Sequence, residues 1–149
     1  MNIREAKEGD FEEYLKLKRE EEKEYSKIIH VNIAPAEEDK LKDEFECCLE
    51  NSKNILLIAQ EETAIAYLLG TIKEDLYHKQ GFVDYLFVSR SFRRKGIARE
   101  LINKFKLRLS NLGVKEMKLE VNLNNVSAIK FYEKLGFKIY KNIMGFKWT

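Results

Sequence analysis

The stretch from residue 83 to residue 121 constrains the fold of this chain more than any other. An apolar run at 81–88 (GFVDYLFV) is followed by a helix over 96–112 and then by a second strand at 116–121 (EMKLEV). Ile97, Leu101, Ile102, Phe105, Leu109 and Leu112 recur at helical spacing and give that helix one apolar face. Gly113 stands where a helix-ending glycine belongs. Two strands joined through a helix of this length pair in parallel, because an antiparallel neighbour is reached by a short turn and a parallel one needs a crossover.

The remaining segments fill in around that unit. Residues 2–6 form a short strand ending at the helix start Glu8-Gly9-Asp10, and Phe11, Tyr14 and Leu15 mark a helix over 11–23. Residues 28–35 break the pattern as a loop. A second helix over 36–51 carries Leu41, Phe45, Cys48 and Leu49 on one face. The apolar runs at 54–61 (NILLIAQE) and 63–72 (TAIAYLLGTI), parted by a polar pair, read as an antiparallel hairpin. A loop at 75–80 leads to the strand already described. Residues 125–135 form a helix stopped by Gly136, and the aromatic and aliphatic run 137–148 is expected to close the sheet. The predicted order is β-α-α-β-β-β-α-β-α-β. It implies an α+β (α/β) fold with a mixed central sheet flanked by helices, in one domain over 1–149.

A chain of 149 residues, 44% apolar and with a single proline, can bury a core without disulfides or metal. Cys47 and Cys48 are adjacent and cannot form an ordinary bridge, so they read as small apolar residues in a reducing compartment. Two isolated histidines, His30 and His78, make no zinc cluster, and no metal is expected. The N-terminus is polar and no apolar run reaches about 18 residues, which predicts a cytoplasmic protein with no membrane partner. Net charge is only +2, but residues 1–50 hold nine basic and sixteen acidic side chains, while residues 51–149 hold eighteen and nine. Such an imbalance suits one cationic and one anionic ligand, or else two ordinary solvated faces.

The chemistry concentrates at 83–98, a strand followed by a basic turn and a helix start. The first N–H groups of a helix lack internal partners and carry positive potential. Small residues at Gly96 and Ala98 let a phosphate come close, and Arg93, Arg94 and Lys95 add three cations at the same place. The segment is a candidate pyrophosphate site, or else a solvated basic cluster. It contains neither Gly-x-Gly-x-x-Gly nor a glycine-rich loop ending in Lys-Ser/Thr, which argues against dinucleotide and ATP-binding designs.

Val88, then Arg93-x-x-Gly96-x-Ala98, resembles the acetyl-CoA-binding motif of the GNAT superfamily of N-acetyltransferases. Downstream, Asn125-x-x-Ala128-x-x-x-Tyr132-x-x-x-Gly136-Phe137 resembles a second signature of that superfamily. The resemblance implies acetyl-CoA as cosubstrate and transfer of its acetyl group to a primary amine. Backbone groups of Leu86, Phe87 and Val88 would then pair with the pantetheine arm as an added strand. The N–H groups of Arg94, Lys95, Gly96, Ile97, Ala98 and Arg99 would hold the pyrophosphate.

In the family, the Tyr132 position points at the coenzyme sulfur and protonates the leaving thiolate. A phenol, with a pKa of roughly 10 against a thiol's value near 8.5, keeps its proton at neutral pH and so has one to donate. Asn125, Ala128 and Tyr132 share one helix face. Asn125 reads equally as a helix cap and Tyr132 as a core aromatic. Lys134 either reaches an outer phosphate or is solvated.

Attack on a thioester needs a neutral amine, so a carboxylate nearby can take its proton. Asp84 lies on the strand before Val88 and is expected on the same face as Leu86 and Val88. Its place resembles that of the proposed base in polyamine- and aminoglycoside-type members; satisfaction by neighbouring groups is the alternative. Glu120 is a second candidate. The acidic runs Glu20-Glu21-Glu22 and Glu37-Glu38-Asp39 lie where the family places its acceptor, which suggests a cationic amine such as a polyamine, an aminoglycoside-like amine or a peptide amine. A non-catalytic CoA-binding sensor is the competing reading. Nucleic acid is not expected as a partner, and the apolar terminal segment suggests a homodimer edge.

Overall fold

The computed structural model describes residues 1–148; residue 149, the last of the expected domain, lies outside the described residues. The elements are β1 (Asn2–Glu5), α1 (Phe11–Ile28), α2 (Glu38–Glu50), β2 (Asn54–Gln60), β3 (Ala64–Glu74), β4 (Lys79–Val88), α3 (Ile97–Asn111), β5 (Met117–Leu119) and α4 (Val126–Lys134). The five strands form one sheet in the order β1-β2-β3-β4-β5. All neighbours are antiparallel except β4 and β5, which pair in parallel across α3, as the strand–helix–strand unit requires.

Both faces of the sheet are covered, which is why β2 and β3 read as continuous apolar runs rather than as alternating ones. Ile55, Leu57, Ala59 and Leu68 pack on Leu101, Phe105 and Leu109 of α3. Leu56, Ile58, Tyr67 and Leu69 pack on Phe11, Tyr14, Leu41 and Phe45 of α1 and α2. Tyr14 ties that second core together, with its ring 5.2 Å from Phe45 and 5.1 Å from Tyr67. The stripe on α3 is buried from Ile97 to Leu109, while Leu112, just past the helix, is 40% exposed.

Two glycines set how closely α3 lies on the sheet. A Cβ on Gly70 would fall 2.3 Å from the Phe105 ring, and one on Gly81 would fall 2.3 Å from Leu109 Cδ1. Both neighbours are buried and have nowhere to move.

One expectation fails. Residues 137–148 form no strand. Among the described residues the sheet ends at β5. Ile143, Met144, Phe146 and Trp148 stand exposed, the last two at 82%. The observed order therefore ends at α4.

Gly70→Ala is expected to destabilise the fold by about 1–3 kcal/mol through overpacking against Phe105. Gly9→Ala, where an added Cβ meets nothing within 4 Å, is expected to change little. Urea denaturation of the two variants checks this.

Candidate active site

Strand β4 is the axis of the site, and its pairing changes twice. Against β3, Leu69 faces Tyr85 but the next residue, Gly70, faces Val83, so Asp84 is an extra residue in a β-bulge. Against β5, pairing stops at Val83–Leu119, while β4 runs on to Val88. The edge of β4 over residues 84–88 is thereby left open on the β5 side. Leu86, Phe87 and Val88 lie along that edge.

The bulge corrects the expected position of Asp84. Val83, Leu86 and Val88 all belong to the α3-side core. Asp84 instead faces the α2 side, because the extra residue reverses the alternation between 83 and 86. There Thr71 Oγ1 donates to Asp84 Oδ2. A cleft of about 450 Å³ opens at this point, lined by Glu44, Cys47, Cys48, Thr71, Asp84 and Tyr85 among others. Burial, with Glu44 nearby, pushes the Cys48 thiol up to about 11. The second candidate base, Glu120, is exposed just beyond β5.

At the end of β4 the chain enters the loop before α3. Arg94 has φ 64 and Gly96 φ 82, two left-handed positions within three residues. Gly96 is the N-cap residue of α3, and its carbonyl accepts the first bond, from Glu100 N–H at 3.1 Å. Among the described residues, the N–H groups of Arg94 through Arg99 have no hydrogen-bond acceptor. Six consecutive free donors at the head of a 15-residue helix make an anion cradle of backbone alone. Arg94, Lys95 and Arg99 are exposed around it.

Arg93 has two partners within the chain. Its Nε donates to the Val88 carbonyl oxygen at 2.8 Å, and its Nη2 donates to Glu24 Oε2 at 2.6 Å. Its guanidinium is thus engaged in the lead-in to the loop. Lys95 Nζ lies 5.2 Å from the Phe92 ring centroid.

Asn125 caps α4, its Oδ1 accepting from Ala128 N–H at 3.2 Å, so the cap reading holds for this atom while the amide nitrogen stays available. Tyr132 packs against the α3-side core together with Leu86 and Val88, and its ring meets Phe137 edge-on at 5.5 Å. Burial pushes its phenol up to about 12. Lys134, in the last turn, is exposed.

Sequence reasoning overlooked a cluster beside the cleft. Lys18 is buried; its Nζ donates to Glu21 Oε2 at 2.9 Å and to Tyr67 Oη at 3.1 Å, and lies 3.7 Å from the Tyr85 ring centroid. Tyr67 Oη also donates to Glu21. Burial and the Glu21 charge hold the Tyr67 phenol far above its ordinary value. A lysine among charged neighbours on a helix gives no sign in sequence of being the one that turns inward. The acidic run is likewise mostly engaged: Glu20 holds Ser89 and Arg90, Glu21 holds Lys18, and Glu22 holds Arg19.

The description of the acetyltransferase (GNAT) family matches residues 12–137. This chain belongs to that family. It is similar to N-alpha-acetyltransferase 30 of Schizosaccharomyces pombe, with 34% identity over 64 residues, 43% of each chain. A mutant of the BH1408 protein of Bacillus halodurans superposes with a TM-score of 0.86 at 24% identity, covering 100% of both chains. Aminoglycoside N-acetyltransferase AAC(6')-Iy, in complex with CoA, superposes with a TM-score of 0.76 at 21% identity, covering 99% of both. The chain spans less than half the length of the curated relatives it matches. As a GNAT fold, the mixed sheet with flanking helices is therefore the one the two sequence motifs implied.

The cleft makes a direct chemical prediction. Cys47 is exposed and Cys48 is buried with a raised pKa. Iodoacetamide at pH 8 is expected to modify the native protein once, at Cys47, and the denatured protein twice, as read by mass spectrometry.

Proposed function

We propose that residues 1–149 form one N-acetyltransferase domain that moves an acetyl group from acetyl-CoA to a cationic primary amine. The observation that carries this reading is the run of six free N–H groups from Arg94 to Arg99, next to the open edge of β4. A pyrophosphate fits such a cradle: Gly96 brings no Cβ near it, and nothing lies within 4 Å of where one would stand. The edge over Leu86, Phe87 and Val88 suits an extended arm with amide groups. Bound acetyl-CoA supplies a thioester, whose carbonyl carbon is the electrophile.

The chain's own residues take the other roles. Asp84, with one oxygen held by Thr71, accepts a proton from the incoming ammonium, directly or through water. Glu44 shares the cleft and adds a second negative charge, which supports a cationic acceptor now that Glu20, Glu21 and Glu22 are accounted for by internal partners. Tyr132 donates to the departing sulfur as general acid. With its phenol near 12, complete transfer to a thiolate near 8.5 is uphill by roughly 5 kcal/mol. Tyr132 therefore works mainly through a hydrogen bond that strengthens as charge grows on sulfur. Asn125, Ala128 and Lys134 border the coenzyme on the α4 side.

The free cysteines support a reducing, cytoplasmic setting. The exposed apolar side chains of 139–148 support self-association as a homodimer.

The test is thiol release from acetyl-CoA with a panel of spermidine, an aminoglycoside and peptides with free N-termini. Amine-dependent release is expected, with Tyr132→Phe lowering kcat by about 100-fold and leaving CoA affinity unchanged. Because burial raises the Tyr132 pKa, the phenol keeps its proton through the working range. Its ionisation is expected to cause no fall in kcat below about pH 10. CoA binding without turnover of any amine would point to a sensor, and failure to bind CoA in calorimetry would refute the site.

A further inference from the structure

Helix α1 grips the chain that leads into the phosphate loop. Both oxygens of Glu20 accept from Ser89 Oγ, at 3.2 and 3.0 Å, and Oε1 also accepts from Arg90 N–H at 2.9 Å. One turn later, Glu24 Oε2 accepts from Arg93 Nη2 at 2.6 Å, and Arg93 Nε returns to the Val88 carbonyl oxygen at 2.8 Å. The guanidinium carbon of Arg93 lies 5.4 Å from the Phe87 ring centroid. The spacing of Glu20 and Glu24 puts both carboxylates on one face of α1. Residues 88–93 are thus fixed at three points from a single helix.

The segment immediately after needs such support. Arg94 and Gly96 both take left-handed backbone conformations, and Arg94 does so with a Cβ. The N–H groups of 94–99 make no hydrogen bond that could hold them in register. A cradle built from free donors keeps its shape only if something outside it fixes its entry.

We propose that Glu20 and Glu24 are positioning residues for the coenzyme phosphates, acting by clasping residues 89–93 so that the N–H groups of 94–99 converge on one point. This rests on the reading of that loop as a CoA site. It also assigns Arg93 a role as the clasp's other half rather than as a phosphate ligand. Simple charge counting gives the opposite sign: removing a carboxylate beside an anion site and freeing an arginine should tighten CoA binding. The clasp requires that it weaken.

Calorimetry of the full chain with CoA separates the two. Glu24→Gln and Glu20→Gln are each expected to lower CoA affinity by about tenfold, since each removes a charge-assisted bond. The reciprocal exchange of Glu24→Arg with Arg93→Glu, which keeps the net charge, is expected to recover most of the loss by restoring the ion pair. In Glu20→Gln, the Arg90 amide is expected to exchange its hydrogen faster. Should the reciprocal pair fail to fold, Glu24→Gln carries the test, because it keeps shape at a side chain that is 28% exposed. CoA bound by the unaltered chain, and bound as tightly or more tightly by a folded Glu24→Gln, overturns the clasp alone. No CoA binding by the unaltered chain overturns the coenzyme reading with it.

Discussion

Strand β4 carries one residue more than β3 can pair with, and it runs five residues past Val83, where its pairing with β5 stops. Both mismatches act on the same short stretch. The bulge turns Asp84 toward α2 and opens a cleft beside Thr71 and Tyr85. The early end of the β4–β5 ladder leaves backbone groups of 84–88 without a strand neighbour on the other side. A fully paired, regular β4 would have neither this cleft nor an open edge. The two irregularities meet at residues 84–88.

Helix packing then decides how firmly that stretch is held. Close approach of α3 is permitted at Gly70 and Gly81, opposite Phe105 and Leu109, and the short segment 89–96 joins its N-terminus to the end of β4. From the other face, α1 sends Lys18 onto Tyr85, next to the bulge, and Glu20 and Glu24 onto Ser89, Arg90 and Arg93. The ammonium of Lys18 is buried, and it is tolerated because Glu21 and Tyr67 satisfy it while an aromatic face covers it. Glu20, Glu21 and Glu24 of α1 all serve this bracing. The charge left at the cleft comes from Glu44 and Asp84, on different elements.

Sequence alone determined the parts that depend on local periodicity and on backbone chemistry. The apolar runs of β2 and β3, the stripe on α3, the parallel crossover and the helix-start glycine at 96 are all set by residues near one another in the chain. So were the free N–H groups of the first turn of α3, because a helix start leaves them unpaired wherever it lies. The motifs around Gly96 and Tyr132 led to the right family for the same reason.

Tertiary structure decided what depends on pairing between distant segments. The face of Asp84 turned on a register shift against β3, which no alternation within GFVDYLFV announces. Arg93 was assigned to phosphate from its neighbours in sequence, yet a glutamate 69 residues earlier holds it. The terminal run 137–148 had the composition of a strand but pairs with none of the described strands. Lys18 looked like one of many surface lysines until Tyr67 and Tyr85 closed over it. Periodicity reports which face of an element is apolar; only the assembled fold sets which partner each polar group meets, because desolvation and hydrogen-bond geometry depend on both sides of a contact.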